Sequence, residues 1–309
     1  MTLEIDALEV DYDNGVRALD GATLTVSAGE TVGIVGESGS GKSTLGAAVG
    51  GLLPSTATIA AGEVWVDGQA VHRLRPKELR ELRRNRLGFV FQEPIGSLDP
   101  TMRVGRQMSL VLGGKGAVLE HLERVRLADP VRVARSYPHQ LSGGMAQRVA
   151  IAMAMAGEPE ILVADEPTAA LDAQIREDVL DVIFSLAAEA GTTILWLSHD
   201  LPAVGKRCSR IAVMYGGRVV ESGTASDVLN TPRHPYTAAL VRAVPAAAVE
   251  GERLASIPGQ PPVLIGPAEG CAFAPRCPDA IDTCGTSRPP LIRLDDRDVL
   301  CLRTAESVA

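Results

Sequence analysis

The stretch Gly36-Glu37-Ser38-Gly39-Ser40-Gly41-Lys42-Ser43-Thr44 constrains this chain more than any other. It fits the pattern G-x-x-x-x-G-K-S/T. It lies between an apolar run, Thr31-Val32-Gly33-Ile34-Val35, and a segment of helical character from Lys42 to Val49. Strand, glycine-rich loop and helix in that order form a phosphate cradle. The glycines let successive backbone N–H groups turn toward one point. The helix N-terminus adds positive potential there. Lys42 brings a full charge for the β- and γ-phosphates, and the Ser43 hydroxyl is a ligand for Mg2+. The competing interpretation, a glycine-rich surface turn, does not account for the strand and helix on either side.

Two further apolar runs, Ile161-Leu162-Val163-Ala164 and Thr193-Ile194-Leu195-Trp196-Leu197, flank a helical segment from Ala173 to Glu189. Continuous apolar strands of this kind belong to a parallel sheet covered on both faces, so this is a βαβ unit and the fold class is α/β. Residues 3–35 read as short strands broken at Asp13-Asn14-Gly15 and Ala28-Gly29-Glu30. Glu63 to Val71 reads as a hairpin turning at Asp67-Gly68. Residues 76–86 read as a charged helix with Pro76 in its first turn, and 101–156 as helices separated by glycines. After residue 232 prolines crowd the chain, and the tail reads as a small irregular appendage.

At 309 residues the chain has room for one large domain and an appendage. It is 46% apolar but only 3% aromatic, so its core must be mostly Ala, Val, Leu and Ile. The N-terminus has no basic and apolar leader, and no run reaches the roughly 18 apolar residues of a membrane span. A cytoplasmic protein is expected, doing any membrane work through partners. A net charge of −8 argues against nucleic acid as a partner. The basic stretch His72 to Arg86 is better explained as a solvated helix face.

Asp165-Glu166 follows the apolar run 161–164. A carboxylate at a strand's C-terminal end can hold Mg2+ through water, which suits Asp165. Glu166 can then polarise an attacking water as general base. A helix N-cap pair would use the same residues. Leu141-Ser142-Gly143-Gly144-Met145 precedes an Ala-rich helical stretch starting near Gln147. It is a second anion site of the first kind, or an ordinary helix cap.

With these motifs in this order, residues 3–232 resemble an ABC-transporter ATPase subunit. The resemblance implies a RecA-like parallel-sheet core, an antiparallel β subdomain and an α-helical subdomain at about 93–156, together forming an ATPase domain over 1–232 with the extension at 233–309. It implies ATP and Mg2+ as ligands. Tyr12 corresponds to the aromatic that stacks on adenine, and residues 36–43 to the Walker A loop, with Thr44 beside it at the ATP site. Gln92 is the Q-loop residue that touches Mg2+ and senses the membrane partner. Leu162 to Glu166 is the Walker B strand, and Ala170-Leu171-Asp172 the D-loop. His199 is the switch histidine at the γ-phosphate. Two such domains pair head to tail, so that the signature, Leu141 to Met145, covers the ATP held by the other subunit. Ala169 and Met145 depart from commoner residues of the family without removing a catalytic group. Homodimer and heterodimer both stay open.

The tail, with His234-Pro235-Tyr236-Thr237 and Ile257-Pro258-Gly259-Gln260-Pro261-Pro262, resembles the extension of oligopeptide, dipeptide and nickel importers. That implies an importer of di- or oligopeptides, with nickel or another small solute as the alternative. The implied partners are a second ATPase subunit, two transmembrane permeases and, indirectly, an extracytoplasmic solute-binding protein. The implied place is the cytoplasmic face of the membrane. Cys271, Cys277, Cys284 and Cys301 belong to the same resemblance, which implies a 4Fe–4S cluster. Their spacing, x5, x6 and x16, matches neither zinc pairs nor ferredoxin runs, so zinc and free thiols remain alternatives. Cys208 reads as a small buried residue. An ABC ATPase of DNA repair is a distant alternative with no room here for its coiled coil. One of translation would need a second cassette.

Overall fold

The structure is a computed structural model describing residues 3–114, 117–169, 171–244, 256–294 and 296–308. The chain divides into two compact units. One comprises Met1–Val26, Thr31–Arg73 and Leu197–Ala309, the other Ser27–Glu30 and Leu74–Trp196.

The first unit opens with β1 (Leu3–Tyr12), β2 (Arg17–Val26), β3 (Thr31–Val35), α1 (Lys42–Val49), β4 (Ala57–Val66) and β5 (Gln69–Ala70). β2, β1, β4 and β5 form an antiparallel sheet in that order. Leu3, Ile5, Leu8 and Val10 of β1 are buried, the change of phase after Ile5 coinciding with a register shift.

The second unit carries α2 (Pro76–Arg86), β6 (Leu87–Val90), α3 (Val104–Val111), α4 (Val118–Arg124), α5 (Pro130–Arg135), α6 (Gly143–Met155), β7 (Ile161–Asp165), α7 (Ala173–Ala190) and most of β8 (Thr193–Ser198). β6 and β7 pair in parallel, with β8 on the other side of β7. Their apolar runs are buried, as continuous hydrophobic strands require. α2 begins at Pro76, and Glu78 in its first turn pairs with Arg75 at its N-cap.

The chain then returns to the first unit through α8 (Leu201–Arg207), β9 (Arg210–Tyr215), β10 (Arg218–Thr224), α9 (Ala225–Asn230), α10 (Pro235–Arg242), β11 (Leu291–Leu294), β12 (Arg297–Leu300) and α11 (Leu302–Val308). β9 lies parallel to β3, with Val32 opposite Arg210 and Val35 opposite Val213. Cys208 is buried just ahead of β9, and burial pushes its thiol up to about 12.

The tail is less irregular than its composition suggests. β11 and β12 form a hairpin that extends the sheet through β10, with Glu221 opposite Val299 and Ser222 opposite Asp298. Buried polar groups fasten it. Arg218 of β10 donates to the Asp20 carboxylate (Nη2–Oδ2 2.6 Å) and to the carbonyls of Ala268 and Gly270, at 3.0 Å each. Arg288 reaches the other Asp20 oxygen at 2.9 Å. Asp20 is fully buried and Arg218 is 3% exposed. Asp20→Ala would strand a buried guanidinium, and unfolding by denaturant is expected to show a loss of about 3–5 kcal/mol.

Candidate nucleotide site

β3 is buried and stiff, and it delivers the chain into the loop at a fixed point. Gly36 lies so close to β9 that a Cβ there would sit 2.2 Å from the Met214 carbonyl oxygen. Gly41, the N-cap of α1, has φ 103, and a Cβ there would sit 2.6 Å from Ala18 O. Both positions therefore demand glycine. Lys42 is 7% exposed, and its Nζ donates to Gly36 O (2.8 Å), Glu37 O (3.0 Å) and Ser40 Oγ (3.4 Å). The ammonium is thus held inside the curve of the loop, next to the first turn of α1. Ser40 is buried and its carbonyl accepts from Gly217 N at 3.1 Å, while Ser38, Gly39 and Ser43 are exposed. Tyr12, at the end of β1, meets Thr44 of α1, Oη to Oγ1, at 3.3 Å. The first unit therefore brings Tyr12 together with the loop. His199, exposed in the turn between β8 and α8, belongs to the same unit.

The loop is also held from the tail. The Glu37 N–H donates to Tyr236 Oη (2.9 Å), and the Glu37 carboxylate accepts from both terminal nitrogens of Arg276 (2.7 and 3.1 Å). Neither tail residue is marked by the sequence as a partner of the loop. Their signal was an arginine inside Cys271-x5-Cys277 and an aromatic after His234-Pro235, neither of which points to residue 37.

The second unit carries the other predicted residues. Asp165 ends β7, and Glu166 follows with φ 42. A glutamate in the left-handed region is costly, of order 1–3 kcal/mol, and such strain gathers at functional sites. The helix-cap alternative does not hold, because α7 starts at Ala173 and is capped by Asp172, whose Oδ1 accepts from Ile175 N at 3.1 Å. Ala170 of the expected D-loop lies outside the described residues. Gln92 is exposed in the bend after β6.

The Leu141 to Met145 segment differs from expectation in its helix start. α6 begins at Gly143 rather than near Gln147. The Ser142 hydroxyl caps it, accepting from Met145 N at 3.4 Å, so both glycines lie in the first turn. Leu141 is buried and anchors the segment, while Ser142 and Gly143 are exposed. Thus the segment is a helix cap whose Ser142 and Gly143 lie exposed at the helix start, where anions are favoured.

All five cysteines are free thiols. Cys271, Cys277, Cys284 and Cys301 line one small cavity with His234. Burial pushes the Cys271 and Cys277 thiols up. Among the described residues no group of three or more His, Cys, Asp or Glu is placed to hold a metal ion, which supports neither the expected cluster nor zinc. No helix among them is long and apolar enough to cross a membrane.

Known proteins match both parts of the chain. The ABC transporter family profile matches residues 19–169, and that of the oligopeptide/dipeptide transporter C-terminal region matches residues 220–284. The oligopeptide transport ATP-binding protein OppD of Salmonella typhimurium is 42% identical, over 94% of this chain and 89% of its own length. The dipeptide transport ATP-binding protein DppD of Escherichia coli is 40% identical, over 95% of this chain and 94% of its own. A solved dimeric ATP-binding cassette in a post-hydrolysis state, bound to ADP and Pi, is 33% identical with a TM-score of 0.64, covering 72% of this chain and 98% of that one. A phosphate loop focused on Lys42, followed by a tail of this type along nearly the full length of these relatives, places the chain in the family of ABC transporter ATP-binding proteins, among those of oligopeptide and dipeptide transporters, as an ATPase.

Proposed function

We propose that this chain hydrolyses ATP to energise import of di- or oligopeptides, working with a second ATPase subunit and two transmembrane permeases at the cytoplasmic face of the membrane. An extracytoplasmic solute-binding protein delivers the peptide. The observation that carries this is the tail: the segment shared with peptide transporters is bonded into the nucleotide-loop unit through β10 and Glu37.

In this proposal Lys42 and N–H groups of residues 36–44 other than that of Glu37, which Tyr236 Oη holds, grip the phosphates, and Tyr12 stacks on adenine. Ser43, Gln92 and Asp165 offer a hydroxyl, an amide oxygen and a carboxylate, hard donors of the kind Mg2+ takes. Mg2+ held by these residues would neutralise charge on the phosphates. Glu166 takes a proton from the attacking water. His199 donates to the γ-phosphate, and Asp172 orders the approach to the neighbouring subunit. Ser142 and Gly143, exposed at the start of α6, cover the phosphate held by the other subunit.

A groove of about 560 Å3 in the second unit supports a permease contact near Gln92. Its lining includes Phe89, Phe91, Leu98, Leu110, Val111 and Met153, with Arg80, Arg83 and Arg84 at one side. Leu110 is 55% exposed and Phe91 43%. Leu110→Asp is expected to abolish co-purification with the permeases and leave the chain folded. Retention of the complex would exclude this surface.

The four thiols line one small cavity, a ligand set that a 4Fe–4S cluster takes and that structural zinc also accepts, and the cluster is the reading tested here. Bound there, the cluster would staple the tail covalently. Protein prepared without oxygen is expected to contain about four iron and four sulfide per chain. Iron-free protein would count against it.

The transport reading is tested with the complete transporter in vesicles. Peptide-loaded binding protein should stimulate ATP hydrolysis and peptide uptake together. Stimulation by nickel-loaded binding protein alone would replace peptide with nickel.

A further inference from the structure

Glu37, the second residue of the phosphate loop, is gripped at three points. Its carbonyl accepts from Lys42 Nζ at 3.0 Å, its N–H donates to Tyr236 Oη at 2.9 Å, and its carboxylate is held bidentately by Arg276. Lys42 belongs to the loop, as does Ser40, whose N–H also donates to the Glu37 carbonyl at 3.2 Å. Tyr236 and Arg276 come from the tail, 199 and 239 residues along the chain.

Both are themselves immobilised. The Arg276 side chain is 6% exposed. Its Nε donates to Pro258 O (2.7 Å), Nη2 to Ile257 O (3.3 Å) and Nη1 to Tyr215 Oη (3.0 Å). The guanidinium lies 5.7 Å from the Tyr215 ring centroid and 6.0 Å from that of Phe273. Tyr236 is fully buried, its ring 4.4 Å from Tyr215 and 5.4 Å from Phe273, centroid to centroid. The neutral His234 imidazole fixes the start of α10 by accepting from Tyr236 N at 3.0 Å, since burial holds its pKa down at about 4. A partly buried ion pair on rigid supports is a positioning device, because its planar fork fixes the direction of the carboxylate as well as its distance.

We propose that Arg276 and Tyr236 are positioning residues for ATP binding: the tail pre-sets the Glu37 backbone so that the loop carbonyls hold Lys42 in its phosphate-gripping place. This rests on the reading of residues 36–44 as the ATP loop. Neither residue touches the nucleotide in this account. Without them the loop must be ordered at the moment of binding, and that cost falls on affinity rather than on the chemical step.

The test is ATP affinity and steady-state hydrolysis by the full-length chain. Arg276→Ala is expected to raise the KM and Kd for ATP about tenfold, with kcat changed less than about twofold. Glu37→Gln should do the same, and the double variant should be no worse than either single one, because both remove one interaction. Arg276→Lys should recover part of the loss, a point charge replacing the fork. Tyr236→Phe keeps the packed ring and removes only the acceptor for Glu37 N–H. It guards against a result due to misfolding and should raise KM about threefold to fivefold. Additive effects of Arg276→Ala and Glu37→Gln, or lowered melting temperatures with unchanged KM, would overturn the proposal. Lys42→Ala separates the two readings. If it binds ATP normally, the loop assignment fails. If it loses ATP while the Arg276 and Glu37 variants bind as wild type, only the tail's positioning role fails.

Discussion

Glu166→Gln is expected to bind ATP as tightly as the wild type and to hydrolyse it about 10² to 10⁴ times more slowly. The substitution exchanges one carboxylate oxygen for an amide, so shape and volume stay and basicity goes. Its backbone, at φ 42, is equally strained with either side chain, so the folded state is little changed. That strain also argues for function, because the turn after β7 could be made at no such cost with glycine or asparagine. Single-turnover hydrolysis with pre-bound ATP separates the chemical step from binding. A rate within threefold of wild type would remove Glu166 from the role of general base.

Lys42→Ala is expected to do the reverse and weaken ATP binding about 100-fold. The ammonium is nearly buried and is held at 2.8 and 3.0 Å by two loop carbonyls. Its charge is therefore fixed where the loop's N–H groups converge. A charge-assisted hydrogen bond to a phosphate oxygen contributes about 1.5–3 kcal/mol, and two such contacts at the lower end of that range account for a loss of this size. The truncation also releases the Gly36 and Glu37 carbonyls, so the ATP-free protein should melt at a slightly lower temperature. Titration with a fluorescent ATP analogue measures the affinity. A Kd within threefold of wild type would contradict the assignment of the loop. The pair of variants is diagnostic because one removes binding and the other only chemistry.

Much of this arrangement was legible in the residues because it is local. The apolar runs of β3, β7 and β8, the Asp67-Gly68 turn and Pro76 at the head of α2 each carry their own signal in a few residues. The phosphate loop was legible for the same reason. β11 and β12 were not, since two four-residue strands bearing Arg293, Arg297 and Asp298 are strands only because β10 offers them an edge. The start of α6 was missed because two glycines read as a loop, although the Ser142 cap and the outward face of the segment favour a helical first turn. The grip of Arg276 on Glu37 could not be read at all. It joins positions 239 apart, and nothing near either residue names the other.

The proposed ATPase cycle depends on the exposed start of α6 serving a neighbour's nucleotide. The direct measurement is a structure of the assembled transporter carrying Glu166→Gln and trapped with Mg2+ and ATP. It should show Ser142 and Gly143 of this chain on the γ-phosphate of ATP held in the phosphate loop of the other ATPase subunit. A transporter loaded with ATP in which Ser142 touches no phosphate, or only the phosphate gripped by Lys42 of its own chain, would contradict it.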